Sequence, residues 1–443
     1  ITRYRGEEGV NSAPPFQPAG PGGQPGQMII AARRDGADTR GLYIFDTATG
    51  QYTETVQVDP QFDMDDAVVD AHRGTIMAAC WWGQRYQCAP KDEQFATRWN
   101  AIKQALGDSV TVSLADYSDD LNQMLVHTFG PQDLGTYYLY NHQNHSLNVL
   151  LRQRPEANAA LLPTERVVEY TTSDGQRQWG YLWLPPGITS ATNLPTIVVP
   201  HGGPEARDYY GGDLFAPYLA AQGYAVFQPN FRGGEGFGRA FVEAGHRQWG
   251  RRMQEDVADG ARYLFQQGIA DPNRTCIAGW SYGGYVAFTA SYMNADIFKC
   301  SVAGAGVSDL RQMLRWERAG STGNDVDQSG SGSSSMGYRY WTTLIGDGGD
   351  ASLDQYSAAQ NAARVGMPLL IIHGDEDQTV PIEQSQLMER AMQRAGKPTR
   401  LITLTDADHY LTPLQGDVMR TVLTESATFV GQNIGPGVAP GSQ

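Results

Sequence analysis

Gly279-Trp280-Ser281-Tyr282-Gly283-Gly284 is the stretch on which the reading of this chain turns. The apolar run before it, Thr275-Cys276-Ile277-Ala278, reads as a buried strand. Tyr285-Val286-Ala287-Phe288-Thr289-Ala290 follows and reads as the first turns of a buried helix. A G-x-S-x-G between a strand and a helix is the pattern of a nucleophile elbow. The turn is so tight that a β-carbon at those glycines would strike neighbouring backbone. The serine itself is held in a strained conformation with its hydroxyl exposed. The same letters also occur as an ordinary Gly-rich turn, so the reading depends on what stands around them.

Outward from Ser281, apolar strands alternate with helical patterns. Thr196–Val199, Tyr224–Phe227, Cys300–Ala303, Pro368–Ile372 and Leu401–Leu404 read as strands. Leu214–Gln222, Asp256–Gln267, Ile382–Ala395 and Val418–Val430 read as helices. This alternation implies an α/β fold, a doubly wound and mostly parallel sheet covered on both faces. Val167–Tyr170 and Gly180–Leu184 form a strand pair at its start, around Ser173-Asp174-Gly175. A Ser/Gly/Asp-rich run between Gly320 and Met336 reads as a flexible loop in a helical insertion.

The first third follows another grammar. Residues 1–27 are expected to be irregular, since Ala13–Gln27 holds five of the chain's 24 prolines. From 28 to 155 the pattern is short β-runs and turns with a weak period of about 40–50 residues, the length of a four-stranded propeller blade. An antiparallel sandwich is the alternative. The segment allows about three blades, a partial β-propeller, and residues 156–443 form the α/β part. The remaining blades are then absent, or belong to an N-terminal propeller fragment; a homo-oligomer is the other association considered.

The chain has 443 residues, is 41% hydrophobic and has a net charge of -15. That charge repels phosphate backbones and anionic membrane surfaces, which argues against nucleic-acid partners. No apolar run approaches the roughly 20 residues that span a bilayer. The chain opens on Ile1 with no signal-like segment, which is read as a processed or truncated form. Cys80 and Cys88 suit a hairpin-closing disulfide, and Cys276 and Cys300 lie on successive strands. Two such pairs point to an oxidising compartment, periplasmic or secreted. Four buried thiols in a cytoplasmic protein are the alternative. No second Cys/His pair has ligand spacing, so neither metal nor cofactor is expected.

A serine hydroxyl needs a base to become a nucleophile. His409, in Asp406-Ala407-Asp408-His409-Tyr410, follows the Leu401–Leu404 strand, and sites on open α/β sheets form past strand carboxyl ends. The preceding strand runs into His373-Gly374-Asp375-Glu376-Asp377, which supplies an acid to orient the imidazole. Serine, acid, histidine is the chain order of α/β-hydrolases. Spacing alone does not choose among Asp375, Glu376 and Asp377. His373 ends a buried strand and reads as structural, and Asp406 and Asp408 read as solvated charges or turn caps. The oxyanion hole calls for the N–H of Tyr282 and a donor from His201-Gly202-Gly203-Pro204, the loop after an earlier strand.

These motifs, with Asn230-Phe231-Arg232-Gly233-Gly234, Trp249-Gly250, Val380-Pro381 and Gly396-Lys397, resemble the prolyl oligopeptidase family, above all its acylaminoacyl-peptidase and dipeptidyl-peptidase branches. The resemblance covers about residues 165–432. It implies a triad of Ser281, Asp377 and His409, an oxyanion hole from Gly203 and Tyr282, and a propeller gating access to short peptides. Arg232, Trp280 and Tyr285 are candidate substrate contacts, each with a structural alternative. The Glu pair that clamps a free amino terminus in dipeptidyl cleavage is not matched: Glu7-Glu8 lies in an irregular stretch, so dipeptidyl specificity is not expected. The expected activity is that of a serine peptidase on short peptides. An esterase with the same triad, or an inactive scaffold, are the alternatives.

Overall fold

The computed structural model describes residues 16–70, 73–212, 214–320, 334–411 and 416–439. Glu7-Glu8 and most of the Ser/Gly/Asp-rich run lie outside them. The helices Leu310–Gly320 and Ser334–Ile345 flank that run. Among the described residues no helix is long and apolar enough to cross a membrane.

The chain forms two units. The first comprises residues 1–162 with two short segments from further along, 209–212 and 235–240. Among the described residues it carries three antiparallel sheets, of four, three and four strands. The Thr75–Trp82 strand pairs with Tyr86–Pro90, setting Cys80 opposite Cys88, and the two are disulfide-bonded. Two expectations for this part need correction. Phe16–Pro21, expected to be irregular or at most a loose surface strand, is a regular strand paired with Gln27–Ala32. Its prolines are tolerated because it lies at the sheet's edge, where N–H groups need no ladder partner. The second is that short β-runs fill this part: a helix, Glu93–Leu106, follows the three-stranded sheet. Asp92 caps it by accepting from the Phe95 N–H, and Phe95, Trp99 and Ile102 bury one face.

The second unit begins at Pro163 and is built on one eight-stranded sheet. Its strands, in spatial order, are Thr164–Thr171, Arg177–Leu184, Ala225–Asn230, Leu194–Val198, Ala270–Trp280, Ser301–Gly304, Leu369–Gly374 and Thr399–Leu404. The first two pairings are antiparallel and the rest parallel. Consecutive residues of the apolar strands enter different cores. Ile277, Leu369 and Ile371 join one cluster with Val286, Phe288 and Met388, while Cys276, Ala278, Leu370 and Ile372 join another with Leu219, Val422 and Val430. Burial on both faces is why these strands read as unbroken apolar runs. Cys276 and Cys300 are disulfide-bonded within the second of these cores.

Candidate active site

Ser281 joins the Ala270–Trp280 strand to the Tyr282–Met293 helix, at φ 58° and ψ -119°. A serine holds that left-handed backbone only where its surroundings impose it. Here the constraint comes from three glycines. A β-carbon on Gly279 would strike Gly283 O, one on Gly283 would strike Pro200 O, and one on Gly284 would strike Gly304 O. The Ser281 N–H donates to Gly304 O at 2.9 Å and pins the turn to the next strand.

His409 Nε2 lies 2.9 Å from Ser281 Oγ, and His409 Nδ1 lies 2.7 Å from Asp377 Oδ2. The other Asp377 oxygen accepts the N–H groups of Thr379 and Val380 at 2.9 and 2.8 Å. Burial alone would raise this carboxyl's pKa. Hydrogen bonds from His373, His409 and Val380 outweigh it and hold the group well below the usual carboxylate range. Asp377 is therefore a fixed anion whose Oδ2 accepts the near-side Nδ1–H of His409, which leaves the far-side Nε2 lone pair facing Ser281 Oγ. Asp375 and Glu376 are exposed, and their backbone N–H groups donate to Leu404 O and Ala407 O, tying the acid loop to the histidine loop. Of the three acids that spacing left open, the structure brings Asp377 to the histidine. Asp406 is exposed at φ 54°, and Asp408 accepts the Tyr410 N–H.

The His201–Pro204 loop runs beside the serine. A β-carbon on Gly202 would sit 3.4 Å from the Ser281 Cβ, so the backbone of this loop passes within van der Waals reach of the nucleophile. Gly203 has φ +114°, again a conformation that favours glycine. His201 is buried and stacked on Phe231 at 4.2 Å between ring centroids. Its Nδ1 lies 2.7 Å from Gly202 O, and burial pushes its pKa down to about 4. The Tyr282 ring is core, packed on Trp249 at 4.5 Å, so only its backbone serves the site. As the first residue of its helix, Tyr282 has an N–H without an intrahelical acceptor.

The three tentative substrate contacts are reassigned. Arg232 is buried, and its guanidinium is taken up by Asp256 at 2.7 and 2.8 Å and by Asp174 at 2.9 Å. Tyr285 is fully buried with its hydroxyl donating to Tyr356 O at 3.1 Å. Both side chains are committed to the fold. Trp280 does bear on the site, by an unexpected route. Its Nε1–H donates to the His409 carbonyl at 2.8 Å and fixes the loop that carries the imidazole. Adjacency to Ser281 was the only sequence signal for it.

The family model for the prolyl oligopeptidase family (Peptidase_S9) matches residues 213–437. Dipeptidyl aminopeptidase BIII of Pseudoxanthomonas mexicana is 26% identical over 432 residues, covering 94% of this chain and 59% of that protein. The acylamino-acid-releasing enzyme of Rattus norvegicus is 25% identical over 257 residues, 58% of this chain and 33% of the enzyme. A puromycin-hydrolyzing peptidase of Mycobacterium tuberculosis shares the fold, with a TM-score of 0.75 at 21% identity over 97% of this chain and 64% of that one. The chain thus spans about three-fifths of the length of the first of these relatives. With that model matching half of the residues, and with its elbow, acid and histidine at successive strand ends, the chain belongs to the prolyl oligopeptidase family.

Proposed function

We propose that this protein is a serine peptidase that hydrolyses short peptides through an acyl-enzyme. One observation carries the reading: the line from Asp377 through His409 to Ser281, at 2.7 and 2.9 Å, ending on a serine held at φ 58°. Ser281 Oγ attacks the scissile carbonyl carbon as its proton passes to His409 Nε2. The new imidazolium is stabilised by the Asp377 carboxylate. The negative charge that develops on the carbonyl oxygen is taken by the N–H groups of Tyr282 and Gly203, each such donor being worth about 3 kcal/mol. The C–N bond then breaks as His409 returns the proton to the leaving amine. Water attacks the acyl-serine by the same path and restores the enzyme. The names of the relatives support peptides as the substrate class.

The two disulfides support an oxidising compartment, periplasmic or secreted, as the protein's site of action. The test of the activity compares turnover of amide and ester chromogens sharing one acyl group, with Ser281→Ala as control. Hydrolysis of the amide that is abolished in Ser281→Ala is the expected result. Turnover of the ester alone would make the protein an esterase. No fluorophosphonate labelling of Ser281 would mean an inactive scaffold.

A further inference from the structure

We propose that His373 is a positioning residue for the acid of the triad, a role that rests on the peptidase reading above. His373 ends the Leu369–Gly374 strand and is fully buried. Its Nε2 lies 2.9 Å from Val380 O and 3.2 Å from Asp377 Oδ2. Its Nδ1 lies 2.6 Å from Ser385 Oγ, a buried hydroxyl on the Glu383–Arg394 helix. A carbonyl oxygen only accepts, so Nε2 carries the hydrogen, directed chiefly at Val380 O with Asp377 Oδ2 beside it. In the neutral ring Nδ1 is then the acceptor, and the Ser385 hydroxyl donates to it.

This arrangement closes the turn that carries the acid. The Val380 N–H holds Asp377 Oδ1, and the Val380 carbonyl is held by His373. Asp377 Oδ2 meets imidazole nitrogens from both sides, His409 Nδ1 at 2.7 Å and His373 Nε2 at 3.2 Å. The carboxylate cannot swing away from His409 without parting from the second ring. The Val380 carbonyl sets the tautomer that makes this work, and the Ser385 hydroxyl, by donating to Nδ1, supports it and fixes the plane of the ring. An apolar side chain would fill the same volume at lower desolvation cost, so three polar partners on a buried imidazole point to alignment of the acid rather than to packing.

The test uses the whole chain with His373→Gln and His373→Leu, reading kcat and KM on an amide chromogen, the rate of Ser281 labelling by a fluorophosphonate, and thermal melting. Glutamine keeps an N–H near the Nε2 position and leucine does not. A shift of about 1 Å in a supporting group costs up to about 100-fold in rate, so the leucine variant is expected to lose about 10- to 100-fold in kcat with KM little changed. Glutamine is expected to recover most of that loss. Kcat per folded molecule within about twofold of wild type in His373→Leu, whatever its melting temperature, overturns the proposal; so does a glutamine variant no better than leucine. Should the leucine variant not fold, Ser385→Ala decides: a lowered kcat at unchanged KM supports the role, and wild-type kcat overturns it. Absence of labelling in the wild type would instead remove the peptidase reading itself.

Discussion

Asp377→Asn is the sharpest probe of the proposed proton path, because all the groups around that carboxylate are donors. Oδ1 accepts two backbone N–H groups, from Thr379 and Val380, and Oδ2 accepts His409 Nδ1–H with His373 Nε2 nearby. An asparagine offers one oxygen and one NH2. The two backbone donors have no alternative tautomer, so the amide oxygen goes to them and the NH2 turns to the imidazoles. His409 satisfies an incoming N–H by becoming an acceptor at Nδ1, which moves its own hydrogen to Nε2. That hydrogen then points at Ser281 Oγ, and the base no longer has a lone pair for the serine proton. The wrong tautomer costs about 10⁴-fold in kcat in a triad of this kind. At about 1.4 kcal/mol per decade this is about 5.5 kcal/mol of transition-state stabilisation. Stability should fall by less, about 1–3 kcal/mol, for buried donors left short of an acceptor. Amide turnover, fluorophosphonate labelling and a thermal melt measure the three quantities. A folded Asp377→Asn enzyme within about tenfold of wild-type kcat would refute the tautomer argument and the role of the acid with it.

Stability should also depend on mildly acid pH. His201, held at about 4 by burial against about 6.5 in an unfolded chain, refuses a proton that the unfolded state accepts. Its contribution is complete above about pH 6.5 and is lost as pH falls toward 4, up to about 3 kcal/mol. Asp377, depressed in the fold, extends the loss below about pH 4. Urea midpoints at pH 7 and pH 5 should differ, and His201→Asn, which keeps a donor for Gly202 O, should flatten the difference. Arg232→Met leaves Asp256 buried without its ion pair and should cost about 3–5 kcal/mol by urea unfolding. A value below about 1 kcal/mol would mean that the pair is replaceable by packing. Thiol titration of the denatured protein should find no free thiol before reduction and four after it. Losing the 24-residue Cys276–Cys300 link should lower stability by about 3 kcal/mol, read as a drop in melting temperature.

The parts of this protein that the sequence makes legible are those where chemistry restricts residue type locally. The elbow needs glycine at 279, 283 and 284 because three carbonyl oxygens stand where their β-carbons would be, so the motif shows in the bare letters. The sheet shows because both faces are buried, which leaves no polar alternation to obscure it. The helix Glu93–Leu106 was legible too: Asp92, Glu93, Phe95, Trp99 and Ile102 give a cap and an apolar stripe. What no letter discloses is how the loops are tied to one another. Asp375, Glu376 and Asp377 are equivalent by spacing. Only the pairing of backbone N–H groups at 375 and 376 with the carbonyls of 404 and 407 leaves the third acid to meet the histidine. Arg232 and Tyr285 look like recognition residues by type and by nearness to the motifs, yet distant partners, Asp256 and Tyr356, have already claimed them. His373 went the other way. Its burial at a strand end was legible and suggested a structural histidine, but its bearing on Asp377 depends on where residues 380 and 385 bring their oxygens. Local sequence thus identifies which groups can react. Which of them share a proton is decided by long-range backbone hydrogen bonds, which constrain no side chain and leave no trace in residue identity.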